Sequence, residues 1–184
     1  MKRTALLLLA ILLAACATAS STASTAGSTA AAKAPVATTV ILVRHAEKAT
    51  PEGDPPLSEA GKARASELAR VLAGAHVSAI YTTQYIRTRE TARPLAEALA
   101  VTPTAIGTGT GYAAAAAADI RTNHAGQTVL VVGHTTTTVE LLNALGVTDL
   151  PTIPETEYDD LFVCTLVEGR PPVVTALRYG APAR

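Results

Sequence analysis

The segment TTVILVRHAE, residues 38–47, is the most informative part of the sequence, because it joins a strand-like run directly to charged and imidazole side chains. Its first six residues, Thr38 to Val43, are β-branched or apolar, which favours a strand buried on both faces. The stretch TVLVVGH, residues 128–134, has the same arrangement, and a further strand-like run covers Val77 to Thr82. Buried strands of this kind are typical of a parallel sheet that carries helices on both faces.

Helical patterns alternate with these strands. They cover residues 58–73, 86–100, 112–123 and 137–145, and further strands are expected at 102–106, 161–167 and 173–179. Pro94 lies inside the second helical pattern and is expected to kink or split it. The β-α-β-α order predicts an α/β fold, with one domain built as a three-layer, open, mostly parallel sheet that has helices on both faces.

The N-terminus has the pattern of a secretory signal peptide. A basic start precedes a short apolar run, Ala5 to Leu13, and small residues follow it. Residues 13–16, Leu-Ala-Ala-Cys, resemble a bacterial lipobox, in which the cysteine becomes the lipidated first residue of the mature protein. We therefore expect a signal peptide at residues 1–15 and lipidation at Cys16. The alternative is an ordinary signal peptide with an incidental cysteine.

The segment after Cys16 is rich in Ser, Thr and Ala and has no hydrophobic periodicity. Residues 16–35 are therefore predicted to form a flexible tether, and residues 36–184 the folded domain. We expect an exported lipoprotein that contacts the membrane through its lipid anchor only. Ala17 follows the cysteine, and by resemblance to sorted lipoproteins this favours the outer membrane, with the domain facing the periplasm.

Composition limits the possible partners and covalent links. The chain has 15 basic and 15 acidic residues and no basic patch, so charge gives no reason to expect nucleic-acid binding. If Cys16 is acylated, Cys164 is the one remaining thiol and no internal disulfide can form. Cys164 lies within an apolar run, residues 161–167, which predicts a buried structural cysteine.

Candidate catalytic residues follow three of the predicted strands. In open α/β sheets, ligands bind beyond the carboxyl ends of the strands, where the strand order reverses. Arg44 and His45 directly follow the first strand, and His134 follows the strand that ends near Val132. Arg87 lies shortly after the strand at residues 77–82. These four side chains are therefore expected at one edge of the sheet.

This set of residues suits phosphoryl transfer. Arginine neutralises phosphate oxygens through paired hydrogen bonds. A neutral imidazole at His45 can attack phosphorus and form a phosphohistidine that water then hydrolyses. His134 can bind an equatorial oxygen and stabilise its charge. The helix predicted after His134 would direct the positive end of its dipole at the same anion.

Four segments, in this order, resemble the histidine phosphatase superfamily, which includes cofactor-dependent phosphoglycerate mutases and small phosphohistidine phosphatases. They are residues 43–47 (VRHAE), 57–61 (LSEAG), 81–92 (YTTQYIRTRETA) and 132–134 (VGH). The resemblance spans about residues 38–145 and implies a phosphoglycerate mutase-like fold. It also implies that no metal or cofactor is required. The implied phosphoacceptor is His45, with the phosphate pocket completed by Arg44, Arg87 and His134.

The chain departs from the family where a proton donor is expected. Many members take a donor glutamate from a segment well beyond the match to Arg87, where this chain has an alanine run, residues 113–118. The acid phosphatase branch has an aspartate directly after the second histidine, where this chain has Thr135. Glu47 is therefore the first candidate acid, although it can equally be a loop carboxylate paired with Lys48. Thr135 is a candidate ligand for phosphate.

The sequence therefore predicts a phosphatase that acts on phosphomonoesters or phosphohistidine. Its partner would be a phosphorylated small molecule, an envelope phosphosugar or a phosphoprotein. Export and the missing glutamate argue against a phosphoglycerate mutase. A non-catalytic phosphate-binding module of the same fold remains an alternative, motivated by the alanine run. A metal-dependent hydrolase that uses His45, His134 and a carboxylate is the other.

Overall fold

The computed structural model describes residues 35–149 and 151–182 of the 184-residue chain. The predicted signal peptide, the lipidation site at Cys16 and nearly all of the predicted tether lie outside the described residues. Within the part of the chain that the structure describes, no helix is both long and apolar enough to cross a bilayer.

Six strands form one sheet. They are β1 (Ala37–Arg44), β2 (Val77–Thr83), β3 (Thr104–Ile106), β4 (Thr128–Gly133), β5 (Asp160–Val167) and β6 (Val173–Arg178). The strand order is β3-β2-β4-β1-β5-β6. The first four strands in this order pair in parallel, whereas β5 is antiparallel to both β1 and β6. The predicted mostly parallel sheet is confirmed.

Among the described residues, four helices cover the two faces of the sheet. They are α1 (Glu59–Leu72), α2 (Ile86–Leu99), α3 (Tyr112–Asn123) and α4 (Thr135–Ala144). Successive residues of β1 point to opposite faces, so Ile41 packs with the apolar side chains of α1 and α2. Leu42 joins the cluster formed with α3 and α4, which also buries Cys164 completely. The three-layer arrangement and the buried cysteine are as predicted.

Two helix predictions differ from the structure. The split predicted at Pro94 does not occur, since α2 runs from Ile86 to Leu99 as one helix, and Ala92 and Leu95 near the proline are fully buried. Helix α4 begins at Thr135, two residues earlier than predicted, with His134 as its N-cap. The His134 N–H donates to Thr137 Oγ1 at 2.8 Å and so fixes the first turn. The sequence does not predict this start, because the run of threonines at residues 135–138 has no apolar periodicity.

The central strands β1 and β4 place the site. They are adjacent and parallel, with Arg44 in register with Gly133. One step further, the His45 N–H donates to the Gly133 carbonyl at 2.9 Å. Helices α1 and α2 pack on one face of the sheet and α3 and α4 on the other, so the chain segments leaving β1 and β4 diverge and open a crevice at their carboxyl ends.

Helix α1 approaches the backbone after β1 at a glycine. A methyl group on Gly61 would lie far inside contact distance of the Glu47 carbonyl oxygen. That oxygen cannot move freely, since it accepts a hydrogen bond from the Ser58 N–H at 2.9 Å. Position 61 therefore requires glycine for packing, even though glycine weakens helices.

Gly61→Ala is expected to lower the free energy of unfolding by about 1–3 kcal/mol, the usual cost of overpacking. Gly74→Ala is the matched control: a methyl group added there would have no atom within 4 Å, and the φ of Gly74 is not in the left-handed region. The control should be neutral or stabilising by up to about 1 kcal/mol. Urea unfolding of the full chain measures both, and equal effects at the two positions would contradict this account.

Candidate active site

The structure brings five of the predicted site residues together. Arg44, His45, Arg87, His134 and Thr135 line one cavity of about 380 Å³ at the carboxyl ends of β1 and β4. Glu47, the sixth, does not line it. The cavity is therefore where the strand ends predicted a ligand site, and its polar lining is that of an anion pocket rather than an apolar one.

His45 is held as a neutral imidazole with one nitrogen free. Its side chain is buried, with 3% exposure, and its Nδ1 lies 2.8 Å from the Ala46 carbonyl oxygen. Because a carbonyl oxygen only accepts, Nδ1 carries the hydrogen and Nε2 keeps its lone pair. Burial, together with His134, Arg44 and Arg87, lowers the pKa of His45 from 6.5 to about 3, although the hydrogen bond to the Ala46 carbonyl acts in the opposite direction. The lone pair on Nε2 is therefore available at neutral pH.

His134 is neutral for the same reason and has the opposite tautomer. Burial lowers its pKa to about 4, with Arg87 and Arg44 contributing. Arg87 Nη2 lies 3.4 Å from His134 Nδ1, and arginine only donates, so Nδ1 accepts. Nε2 then donates to Thr83 Oγ1 at 3.0 Å. The two imidazole centres are 5.2 Å apart.

Arg87 is oriented by two groups that the sequence did not reveal. Its Nη1 donates to Asp54 Oδ1 at 3.2 Å, and its guanidinium carbon lies 4.3 Å from the centre of the Tyr85 ring. Asp54 also accepts from the Ile86 N–H at 2.9 Å, so it caps α2 as well. No sequence pattern identifies this contact, because Asp54 lies in an irregular loop.

Arg44 is buried, with 4% exposure, and binds the segment before β5. Its Nη1 donates to the carbonyls of Pro154 (3.2 Å), Glu155 (2.5 Å) and Glu157 (3.0 Å). Its Nη2 donates to Glu155 Oε2 at 2.7 Å, and the Tyr158 ring centre lies 4.4 Å from its guanidinium carbon. Sequence reasoning missed this segment, which brings a carboxylate and an aromatic ring to the site.

Glu47 is predicted to be the acid at this pocket, but its side chain does not line the cavity. Both Glu47 oxygens accept from Arg64 Nε, at 3.1 and 3.0 Å, and Oε1 also accepts from Nη2 at 2.8 Å. Arg64 is itself buried and donates to the carbonyls of Tyr179 and Ala181. Glu47 is thus held in a structural ion pair on the α1 side, and the alternative pairing with Lys48 is not formed either.

Three buried polar atoms of the cavity have no hydrogen-bond partner within the described residues. They are Arg44 Nε, Arg87 Nε and Thr135 Oγ1. Unpartnered buried donors are costly, and all three belong to residues that line the cavity. Thr135 is also the first residue of α4, where backbone N–H groups and the helix dipole favour an anion. This donor set fits a phosphate group.

The donor set does not resemble a metal site. Within residues 35–149 and 151–182, no group of three His, Cys, Asp or Glu side chains is arranged to hold a metal ion. Two neutral histidines beside two arginines instead form a pocket whose charge is positive.

Comparison with known protein families gives a match that includes residues of the pocket. The model of the histidine phosphatase superfamily (branch 1) matches residues 40–106, which include Arg44, His45 and Arg87. Over these residues the chain is similar to the histidine phosphatase superfamily, and its domain has the phosphoglycerate mutase-like fold.

Three solved structures illustrate the likeness. The protein histidine phosphatase SixA, complexed with tungstate, gives a TM-score of 0.63 at 17% identity over 76% of this chain and 96% of that one. A mycobacterial glucosyl-3-phosphoglycerate phosphatase gives 0.56 at 16% identity, over 70% and 90%. Phosphoglycerate mutase from Plasmodium falciparum gives 0.55 at 20% identity, over 81% and 96%. No curated protein matches the sequence.

The buried imidazoles make stability depend on pH. In the unfolded chain each takes up a proton near pH 6.5, whereas in the folded protein both stay neutral down to a pKa of about 3 for His45 and about 4 for His134. Below pH 6.5 the unfolded state therefore binds more protons, and the free energy of unfolding falls as the pH falls towards 4.

His45→Asn should reduce this slope by up to about 1.4 kcal/mol per pH unit between roughly pH 6 and pH 4. Urea unfolding across that range measures the slope, and His76→Asn is the control because His76 is exposed. Asparagine also tolerates the positive φ of 53° at position 76. Identical slopes for wild type and His45→Asn would mean that the imidazole is not held neutral.

Thr135→Val tests whether the unpartnered hydroxyl serves a bound anion. Valine has the same shape, and the hydroxyl it removes makes no protein hydrogen bond, so the free energy of unfolding should stay within about 0.5 kcal/mol. The dissociation constant of inorganic phosphate should rise by about 3- to 10-fold, the value of one hydrogen bond. Calorimetry measures the binding of phosphate, and an unchanged dissociation constant would show that the Thr135 hydroxyl does not bind the anion.

Proposed function

We propose that this protein is a phosphatase that hydrolyses phosphomonoesters or phosphohistidine through a covalent phosphohistidine at His45. The observation that carries the proposal is the neutral, tautomer-fixed His45 at the wall of a pocket with two arginines. The match of residues 40–106 to the histidine phosphatase family model and the likeness to structures described as phosphatases support it.

The first step is attack of His45 Nε2 on phosphorus, with cleavage of the bond from phosphorus to the leaving group, an alcohol or an imidazole. As the N–P bond forms, the imidazole becomes positive, and the Nδ1–H donated to the Ala46 carbonyl stabilises that charge. Arg44 and Arg87 hold the phosphoryl oxygens, whose charge they neutralise. The His134 Nε2–H, which donates to Thr83 Oγ1 in the structure, would turn to donate to a phosphoryl oxygen. In the second step water attacks phosphorus and releases phosphate and neutral His45.

The substrate would be a phosphorylated small molecule, an envelope phosphosugar or a phosphoprotein. This choice rests on the predicted export of the chain, with Cys16 as the lipid-bearing residue of an outer-membrane lipoprotein that faces the periplasm. SixA, a protein histidine phosphatase, and the mycobacterial glucosyl-3-phosphoglycerate phosphatase make both protein and small-molecule substrates reasonable candidates. Labelling with a fatty-acid analogue in bacteria tests the anchor, since Cys16→Ser should abolish incorporation.

The test of the phosphatase activity uses 4-nitrophenyl phosphate, the purified full chain and an excess of chelator. Turnover should persist with chelator and fall by at least about 10³-fold in His45→Asn, which lacks the nucleophile. Rapid quench with a radiolabelled substrate should trap an acid-labile, alkali-stable label on wild type and none on the variant. His76→Asn is the matched control, because it changes an exposed imidazole away from the cavity.

Each other outcome identifies an alternative. Phosphate binding without turnover would establish the non-catalytic binding module. Turnover lost on chelation and restored by a divalent metal would establish a metal-dependent hydrolase. Turnover that survives in His45→Asn would mean that another side chain is the nucleophile.

A further inference from the structure

Two cavities meet at Glu155. The first is the active-site cavity that His45 lines, and the second, of about 360 Å³, is lined by residues 48–51 and Tyr158. Arg44, Lys48 and Glu155 line both cavities and therefore stand at their boundary. A phosphate in the first cavity and its alcohol in the second would place the ester oxygen between them, beside these three side chains.

We infer that Glu155 is the proton donor to the leaving group and that the second cavity holds that group. This inference rests on the proposed function and extends it to a catalytic residue. Glu155 Oε2 lies 2.7 Å from Arg44 Nη2, while 75% of the side chain is exposed to solvent. The carboxyl is therefore anchored beside a guanidinium that binds phosphate, yet it can still turn towards the ester oxygen.

The other carboxylates are placed less well. Glu47 is occupied by Arg64, and Asp54 is occupied by Arg87 and the Ile86 N–H. Glu140 lines the active-site cavity but not the second one, so it does not lie at their boundary. Among these carboxylates, Glu155 is the one placed where the leaving oxygen would be.

Substrate binding itself supplies the reason for Glu155 to take up a proton. If a phosphate dianion binds Arg44, then two anions, the phosphate and the Glu155 carboxylate, lie beside one guanidinium. Lys48 is the other cation that lines both cavities. Lys48 Nζ already donates to the Pro51 carbonyl at 2.6 Å. Protonation of Glu155 removes the repulsion between carboxylate and phosphate and creates an O–H donor at the ester oxygen.

The resulting step balances. The Nε2–P bond forms while the P–O bond to the leaving group breaks, and the departing oxygen takes the proton from Glu155. An alcohol leaves, the carboxylate remains, and His45 carries the phosphoryl group. The carboxylate then accepts a proton from the water that attacks phosphorus, the N–P bond breaks, and phosphate is released with Glu155 protonated again.

The experiment compares leaving groups of similar size, 4-nitrophenol and benzyl alcohol, by kcat/KM of the full chain on their phosphates. The nitrophenolate leaves without a proton, whereas the benzyl alkoxide requires one. Glu155→Gln should therefore lower kcat/KM for benzyl phosphate by about 100-fold or more and change that for 4-nitrophenyl phosphate by less than about threefold. Glu155→Asp should restore part of the activity on benzyl phosphate.

Glu140→Gln is the matched comparison, because its carboxylate lines the same active-site cavity. It should alter kcat/KM for the two substrates by the same factor. Equal losses on both substrates in Glu155→Gln would overturn the donor role. A gain on both would show that Glu155 merely competes with phosphate for Arg44. If wild type does not turn over even 4-nitrophenyl phosphate, the proposed function fails, and this inference fails with it.

Discussion

The hydrogen bond from the His45 N–H to the Gly133 carbonyl extends the parallel β1–β4 ladder one step past the strands. It places His45 at the point where the chain leaves β1, and it places His134 one residue past its acceptor. Gly133 also lets α4 begin close to the strand, since a side chain there would contact Thr137 Oγ1 at 2.8 Å. That hydroxyl accepts the His134 N–H and starts the helix. One ladder therefore positions both imidazoles and the helix that faces the pocket.

Burial then determines the charge of the pocket. Carbonyls and carboxylates contact the guanidinium groups of Arg44 and Arg87. The imidazoles beside them are buried, and for His134 the opposing charges of Asp54 and Glu155 do not offset that burial. Desolvation and the two nearby guanidinium groups lower the pKa of both His45 and His134. The pocket thus combines permanent cations with neutral nitrogen lone pairs. Such a pocket suits a phosphate dianion, because the neutral nitrogen is not repelled by the dianion and the guanidinium groups neutralise the charge of its oxygens.

The sequence predicted those parts of the molecule that local pattern controls. Apolar strand runs and strand-end polar residues predicted the sheet, its layers and the convergence of Arg44, His45, Arg87 and His134. It did not predict that Glu155 reaches the pocket, because that contact joins residues 111 positions apart through an irregular segment. The prediction that Glu47 lies at the pocket was wrong for a related reason. Its nearness in sequence to His45 suggested a shared pocket, but Arg64, seventeen positions away on α1, binds its carboxylate.

Two arginine–glutamate pairs hold the RHAE segment from opposite sides. Arg44 binds the carbonyls and carboxylate of the segment before β5, while Glu47 binds Arg64, which in turn donates to the Tyr179 and Ala181 carbonyls after β6. The segments around β5 and β6 lie outside residues 40–106, the range matched by the family. Removing the Glu47 carboxylate would leave the buried Arg64 without its anionic partner, which typically costs about 3–5 kcal/mol. His45, the proposed nucleophile, therefore lies in the part that resembles the family, but the geometry around it depends on the carboxyl-terminal third of the chain.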